Sequence, residues 1–294
     1  MNSKKVIESA IDSIYIRSQG SPLSKTASVT LNFHPDTLID NKPLLAVLAS
    51  EGVYRSQFET GTSNGSLSAH EGGRRFEWEQ QLFGGAYDQA PSTLRPKYGA
   101  LNYKQSEFGA APRFGSAHFR LNCALNCRCT FAYPDSHTNP EHFGTNDRMA
   151  LITLAEKNAL QLEPLDNYIE AHVHGVVDIA HDVDALVLDS CYKNTPIESI
   201  AETLPCSLEW HSGYVLTDEH VDLLKAYRGE TVAKFISQVL AIAPLTPARL
   251  ADYRDGSVAP DILKKVWHCL ALLGQGSGQG SGQGDGRGGE QGSN

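Results

Sequence analysis

The chain has 294 residues, 40% of them hydrophobic and 20% charged, a composition that excludes a disordered polymer and leaves room for a sizeable core. Its 25 Lys and Arg stand against 34 Asp and Glu, a formal charge of −9, and that whole-chain field argues against a general nucleic-acid or anionic-membrane binder. No apolar run approaches the roughly 20 residues that span a bilayer, and the N-terminus lacks the apolar core of a secretory signal, so cytoplasmic synthesis is expected, or export by a dedicated secretion system.

Taken in chain order, residues 6–17 read as a helix, followed by a Gly/Ser/Pro break and a strand over 28–33. A short helix over 43–50 feeds a strand over 53–58, whose polar face carries Arg55, Gln57 and Glu59. A Gly/Ser-rich loop at 61–73 precedes a helix over 74–83, which Gly84 and Gly85 terminate. Short strands are expected over 97–103, 113–121, 128–133, 168–179 and 184–188, with a helix over 148–158. From Pro196 onward the pattern turns helical, with Val232, Phe235, Ile236, Val239 and Leu240 at amphipathic spacing. Residues 274–294, rich in Gly, Gln and Ser, are expected to form a disordered tail. Four segments follow: an N-terminal helix within 1–27, an α+β domain over 28–195, a helical extension over 196–273, and the tail.

The six cysteines are too sparse for a disulfide scaffold, and Cys123, Cys127 and Cys129 lack the second pair that a zinc finger needs, so reduced thiols are the default. The stretch from Tyr168 to Ile179 is more informative. Strand side chains alternate between faces, so Ile169, Ala171, Val173, Val177 and Ile179 point to a core while Glu170, His172 and His174 share the opposite face. A solvated outer face gives the same alternation. Metal binding competes for His172 and His174, with Asp178 or His181 completing a set, and would make a metal-dependent hydrolase. Arg55, at a strand end before a glycine-bearing loop, has the planar fork that grips a phosphate, although pairing with Glu51 or Glu59 is the ordinary fate of such an arginine. In the block from Pro112 to Arg120, Ser116 and His118 alternate onto one strand face, but no G-x-S-x-G elbow supports a serine hydrolase.

Arg55 on an early strand, Ser116 on a later one and Glu170 on a late one resemble, in that order, the Arg-Ser-Glu branch of ADP-ribosyltransferases. The Tyr-Arg-Ser-Gln-Phe-Glu-Thr-Gly, Arg-Pro-Lys-Tyr-Gly-Ala-Leu-Asn, Arg-Phe-Gly-Ser and Val-His-Gly blocks also resemble those of a bacterial family known only as a domain of unknown function. The first resemblance implies a split, bent antiparallel β-sheet core with flanking helices, and NAD as substrate. Arg55 would contact the NAD phosphate or ribose, Ser116 and His118 would support the nicotinamide pocket, Tyr98 would stack on the nicotinamide ring, and Glu170 would be catalytic, the ADP-ribose passing to a protein or small-molecule acceptor or to water. No metal is implied. Two positions depart from that branch: His118 stands where a Ser or Thr is usual, and Tyr168 stands two residues before Glu170 in place of Glu or Gln. A non-catalytic nucleotide-binding module is the reading from another class.

Overall fold

A computed structural model describes residues 2–61 and 68–276. The central strand, β1 (Val29–Phe33), is buried along its whole length because both faces are covered. Two short strands, β2 (Leu38–Ile39) and β3 (Lys42–Pro43), pair with each other. The strand β4 (Val53–Tyr54) pairs with β10 (Val177–Asp178). All other strands join β1: β5 (Lys97–Leu101), β6 (Ala117–Leu121), β7 (Cys129–Tyr133), β8 (His142–Thr145), β9 (Glu170–Val173), β11 (Val183–Asp189) and β12 (Ser207–His211). They form one eight-stranded sheet in the order β12-β11-β6-β1-β5-β9-β7-β8, antiparallel throughout except for the parallel β11–β12 edge.

Alternation gives this sheet two unlike faces. Val29, Leu31 and Phe33 of β1 share one face with Ala117, Phe119 and Leu121 of β6 and with Phe131, Ala171 and Leu186, all nearly inaccessible. Helices α2 (Leu44–Glu51), α5 (Leu151–Lys157) and α7 (Pro196–Ala201) press Leu45, Leu48, Leu151, Ala155, Ile197 and Ala201 onto it. Each large apolar side chain removed from water here contributes about 1.5–3 kcal/mol.

The other face carries Thr30, Asn32, Tyr98, His118, Thr130, Glu170 and His172, and it is covered as well. Over β1 a loop bonds to the strand's side chains: Asn32 donates to the Phe108 carbonyl, and the Ala110 amide donates to Thr30 Oγ1 at 2.9 Å. Over β5, β9 and β7 lies α4 (Arg74–Leu82), and α1 (Ser3–Tyr15) packs Val6, Ala10 and Ile14 with Leu82, Phe83 and Tyr87. The C-terminal helices α8 (Val221–Arg228), α9 (Glu230–Leu240), α10 (Pro247–Ala251) and α11 (Pro260–Leu273) build a second core around Phe108, Tyr214, Ile236 and Trp267.

Several expectations change. The strand over 53–58 stops at Tyr54, because Ser56 and Glu59 form a reciprocal capping box that starts the short helix α3 (Gln57–Thr60), so Arg55 is not a strand residue. Residues 112–114 make a 3₁₀ turn, and β6 begins only at Ala117, which leaves Ser116 just before the strand. The strand over 168–179 divides at Gly175, whose φ of 79° belongs to the left-handed region, and α6 (Ile179–Asp182) follows β10. Glu170, His172 and His174 do not face solvent, being 7%, 0% and 0% exposed. Within the extension, β12 joins the main sheet. Of the expected tail, Gly274 and Gly276 bond back to Val215 and Gly213, and 277–294 lie outside the described residues, as do 62–67 of the Gly/Ser-rich loop. No helix among the described residues is long and apolar enough to cross a membrane.

Candidate functional site

Glu170 occupies a rung of the sheet between Ala100 on β5 and Ala132 on β7, so its neighbours on either side present only methyl groups. The next rung is Thr130, His172 and Tyr98. The carboxylate is therefore the one long side chain in a gap of the sheet surface, and the groups that fill the gap are polar. Ser136 donates to Glu170 Oε2 through its hydroxyl at 2.9 Å and its amide at 3.3 Å, and His172 Nε2 lies 3.0 Å from Oε1. Arg75, reaching down from α4, donates to the Ser136 hydroxyl at 2.9 Å. Burial opposes a charge on Glu170, but the His172 bond, the nearby Arg75 and the Ser136 hydroxyl outweigh it and hold the carboxyl below its usual range.

A carboxylate can only accept, and this fixes the direction of a longer chain of hydrogen bonds. With His172 Nε2 donating to Glu170, Thr130 Oγ1 donates to His172 Nδ1 at 3.0 Å. His174 Nε2 then donates to Thr130 at 2.9 Å, and Tyr87 donates to His174 Nδ1 at 2.6 Å. Each imidazole needs only one N–H for every link to be satisfied. Burial keeps His174 neutral, its pKa lying well below the usual imidazole range.

A second carboxylate lies in the same cluster. Glu79 of α4, 1% exposed, accepts from Arg95 Nη1 at 2.5 Å and from the Tyr98 hydroxyl at 2.8 Å. Burial pushes this carboxyl above its ordinary value despite Arg95 and Tyr98, the opposite direction to Glu170. Tyr98 and Arg75 link the two acids. The Arg75 guanidinium stacks on the Tyr98 ring, and its buried Nε has no hydrogen-bond partner among the described residues. Trp78 and Phe83 wall the cluster, their ring centroids 5.4 and 5.6 Å from His172. On the same β5 segment, Lys97 is buried, with its ammonium donating to the carbonyls of Thr93, Arg95 and Gly175, and burial pulls its pKa down to about 8.

Of the side chains singled out from the sequence, Tyr98, His172 and His174 join Glu170 in one cluster. Arg55 is half exposed and forms an ion pair with Glu51 at 2.9 Å. Ser116 is buried against Tyr192, whose hydroxyl lies 3.3 Å away. His118 sits on β6, three strand spacings or about 14 Å across the sheet from β9. Burial, His211 and Arg120 bring its pKa down to about 3. His172 and His174 bond to Thr130, and among the described residues no three His, Cys, Asp or Glu are grouped to hold a metal ion. Sequence reasoning overlooked Arg75 and Glu79, whose i, i+4 spacing on a helix puts them on one face, and Ser136, which nothing in its neighbourhood marks.

The sheet and its covered polar face define an α+β protein with a buried acid–imidazole–guanidinium cluster. Residues 28–163 and 152–249 match a family described as a protein of unknown function, DUF3626, and the chain belongs to that family. No curated protein matches the chain.

Proposed function

We propose that the protein is an enzyme of ADP-ribosyltransferase type that cleaves the nicotinamide–ribose bond of NAD, with Glu170 as the catalytic carboxylate. The observation that carries this reading is the divergence of two linked acids, Glu170 held below the ordinary carboxyl range and Glu79 pushed above it, within one network of hydrogen bonds. Carboxyl groups driven apart by their surroundings are the usual mark of acid and base roles. When the nicotinamide leaves, positive charge builds on the ribose, and a fixed carboxylate beneath it stabilises that oxocarbenium-like state without reorganising. Ser136, His172 and Arg75 supply the fixing. Arg75, whose buried Nε has no hydrogen-bond partner among the described residues, takes the phosphate- or ribose-binding part that the resemblance gave to Arg55. Tyr98, already stacked under a guanidinium, belongs to the nicotinamide side, and its hydroxyl ties the pocket to Glu79. The split, bent sheet core of that class is part of the same proposal.

The test is nicotinamide release from NAD by the wild-type protein and by Glu170→Gln. A loss of about 10²-fold or more, worth about 2.7 kcal/mol, is expected for a functional carboxylate. Equal rates would remove Glu170 from the chemistry, and NAD binding without any turnover would make the protein a nucleotide-binding module.

A further inference from the structure

A cavity of about 390 Å³ opens between the end of β1, the 3₁₀ turn at 112–114 and the C-terminal helices. None of the residues of the Glu170 cluster lines it. Its polar wall holds Arg113, Arg254 and Lys264 with the imidazoles of His34 and His268, and no carboxylate. In a chain of net charge −9 this is a local inversion of sign. Two of the cations are fixed from behind: Arg254 donates to Asp36 at 2.6 Å, and Arg113 forms an ion pair with Asp166. Neither aspartate reaches the cavity surface. Lys264 is exposed on α11.

The apolar wall includes Phe114 and Trp267. The indole is held in place by donating to the carbonyls of Pro112 and Arg113, and its ring meets the edge of His34 at 4.6 Å. His34 Nδ1 is buried and has no hydrogen-bond partner among the described residues. Burial and the neighbouring cations keep both imidazoles uncharged: Arg254 beside His34, and Arg113 and Arg228 beside His268, whose pKa falls to about 4.

We propose that this cavity binds a nucleoside monophosphate or an aromatic phosphomonoester of that size, its phosphate among Arg113, Arg254 and Lys264 and its ring against Phe114 and Trp267. Guanidinium forks and an ammonium match a phosphate dianion, and the volume lies in the range of small-ligand sites. The site is independent of the NAD reading.

The experiment is titration of the full chain with AMP, followed by calorimetry and by quenching of tryptophan emission, with adenosine and inorganic phosphate as separate probes. AMP is expected to bind more tightly than either probe. Lys264→Glu, on an exposed position that leaves the fold intact, is expected to weaken AMP at least about tenfold, as is Phe114→Ala. Glu170→Gln is expected to leave AMP affinity unchanged. No AMP binding at millimolar concentration, or binding unaltered in both Lys264→Glu and Phe114→Ala, would overturn the proposal. Phosphate binding as tightly as AMP would overturn the aromatic half of it, and loss of AMP binding in Glu170→Gln would move the nucleotide to the other site.

Discussion

The guanidinium carbon of Arg75 lies 4.1 Å from the centroid of the Tyr98 ring, which stacks a helix residue on a strand residue in the interior of the protein. The pair does more than pack. Tyr98 presents its hydroxyl to Glu79 while Arg75 holds Ser136 against Glu170, so one stacked contact ties both buried acids to the sheet. A cation over an aromatic face is worth about 2 kcal/mol when it is desolvated.

Tyr98→Phe separates the hydroxyl from the stacking. The ring remains under Arg75, but Glu79 loses one of its two donors in a site where water cannot replace it. We expect a destabilisation of about 1–3 kcal/mol, read as a lower urea midpoint with an unchanged slope. A midpoint equal to that of the wild type would show that the Glu79 carboxyl does not need this bond.

Arg95→Met is expected to be more damaging. It removes the charge 2.5 Å from a fully buried carboxylate and a guanidinium stacked on Phe58. Stranding one member of a buried pair costs about 3–5 kcal/mol. Thermal unfolding should show the loss, and Arg95→Met combined with Glu79→Gln should recover part of it.

Acid should destabilise the fold well above the carboxylate range. His34, His118, His174 and His268 all have folded pKa values below the free imidazole value of 6.5. Below pH 6.5 the unfolded chain takes up protons that the folded chain refuses, so this stability is complete above 6.5 and falls as the pH drops. Each such histidine contributes a slope of about 1.4 kcal/mol per pH unit. For His118 the window runs from 6.5 down to about 3. Chemical denaturation at pH 7, 6 and 5 measures the slope, and His118→Asn should reduce it by about 1.4 kcal/mol per unit. An unchanged slope in that variant would contradict a neutral buried imidazole.

Glu170 acts in the same direction but in a lower window. Its folded pKa lies below that of a free carboxyl, so its contribution is complete above about 4.5 and disappears as the pH falls through the folded value. It follows that nicotinamide release should show no acidic limb from this group between pH 5 and 7. A rate that falls with an apparent pKa near 6, in protein still folded by circular dichroism, would place the essential ionisation elsewhere.

Gly115→Ala tests the close approach of two chain segments. A Cβ at Gly115 would lie 2.0 Å from the Phe33 carbonyl carbon, and backbone cannot rotate away as a flexible side chain does. A loss of about 1–3 kcal/mol or more is expected, with β1 displaced from the 3₁₀ turn before β6.

Part of this was readable in advance. The period of two around Glu170 placed Ile169, Ala171 and Val173 in the core and put Glu170 together with His172 and His174, because strand alternation is a local property. That the polar face is buried was not readable there, since its cover, α4, comes from about ninety residues earlier in the chain. Arg75 and Glu79 are spaced as a surface helical pair would be, and only the packing distinguishes the two cases. The end of β4 was legible in principle: Ser56 and Glu59 stand at capping-box spacing, a signal that outweighs the extended pattern around Arg55. The strands β8 and β12 escaped notice because they are short edge strands, partly exposed, without an alternation of their own.

The position of β1 bears on how the molecule is made. It is the first strand of the sheet to leave the ribosome, yet its neighbours are β5 and β6, and β5 is completed roughly seventy residues later. At about 5–20 residues per second, Val29, Leu31 and Phe33 wait on the order of 3–14 s without a partner. β6 then adds to the other side of β1, while β7 and β8 pair with each other and join the sheet only when β9 bridges β7 to β5. Synthesis of this protein should therefore depend on chaperones that shield a nascent apolar segment, and slowing translation between residues 34 and 97 should cost soluble yield more than slowing it later.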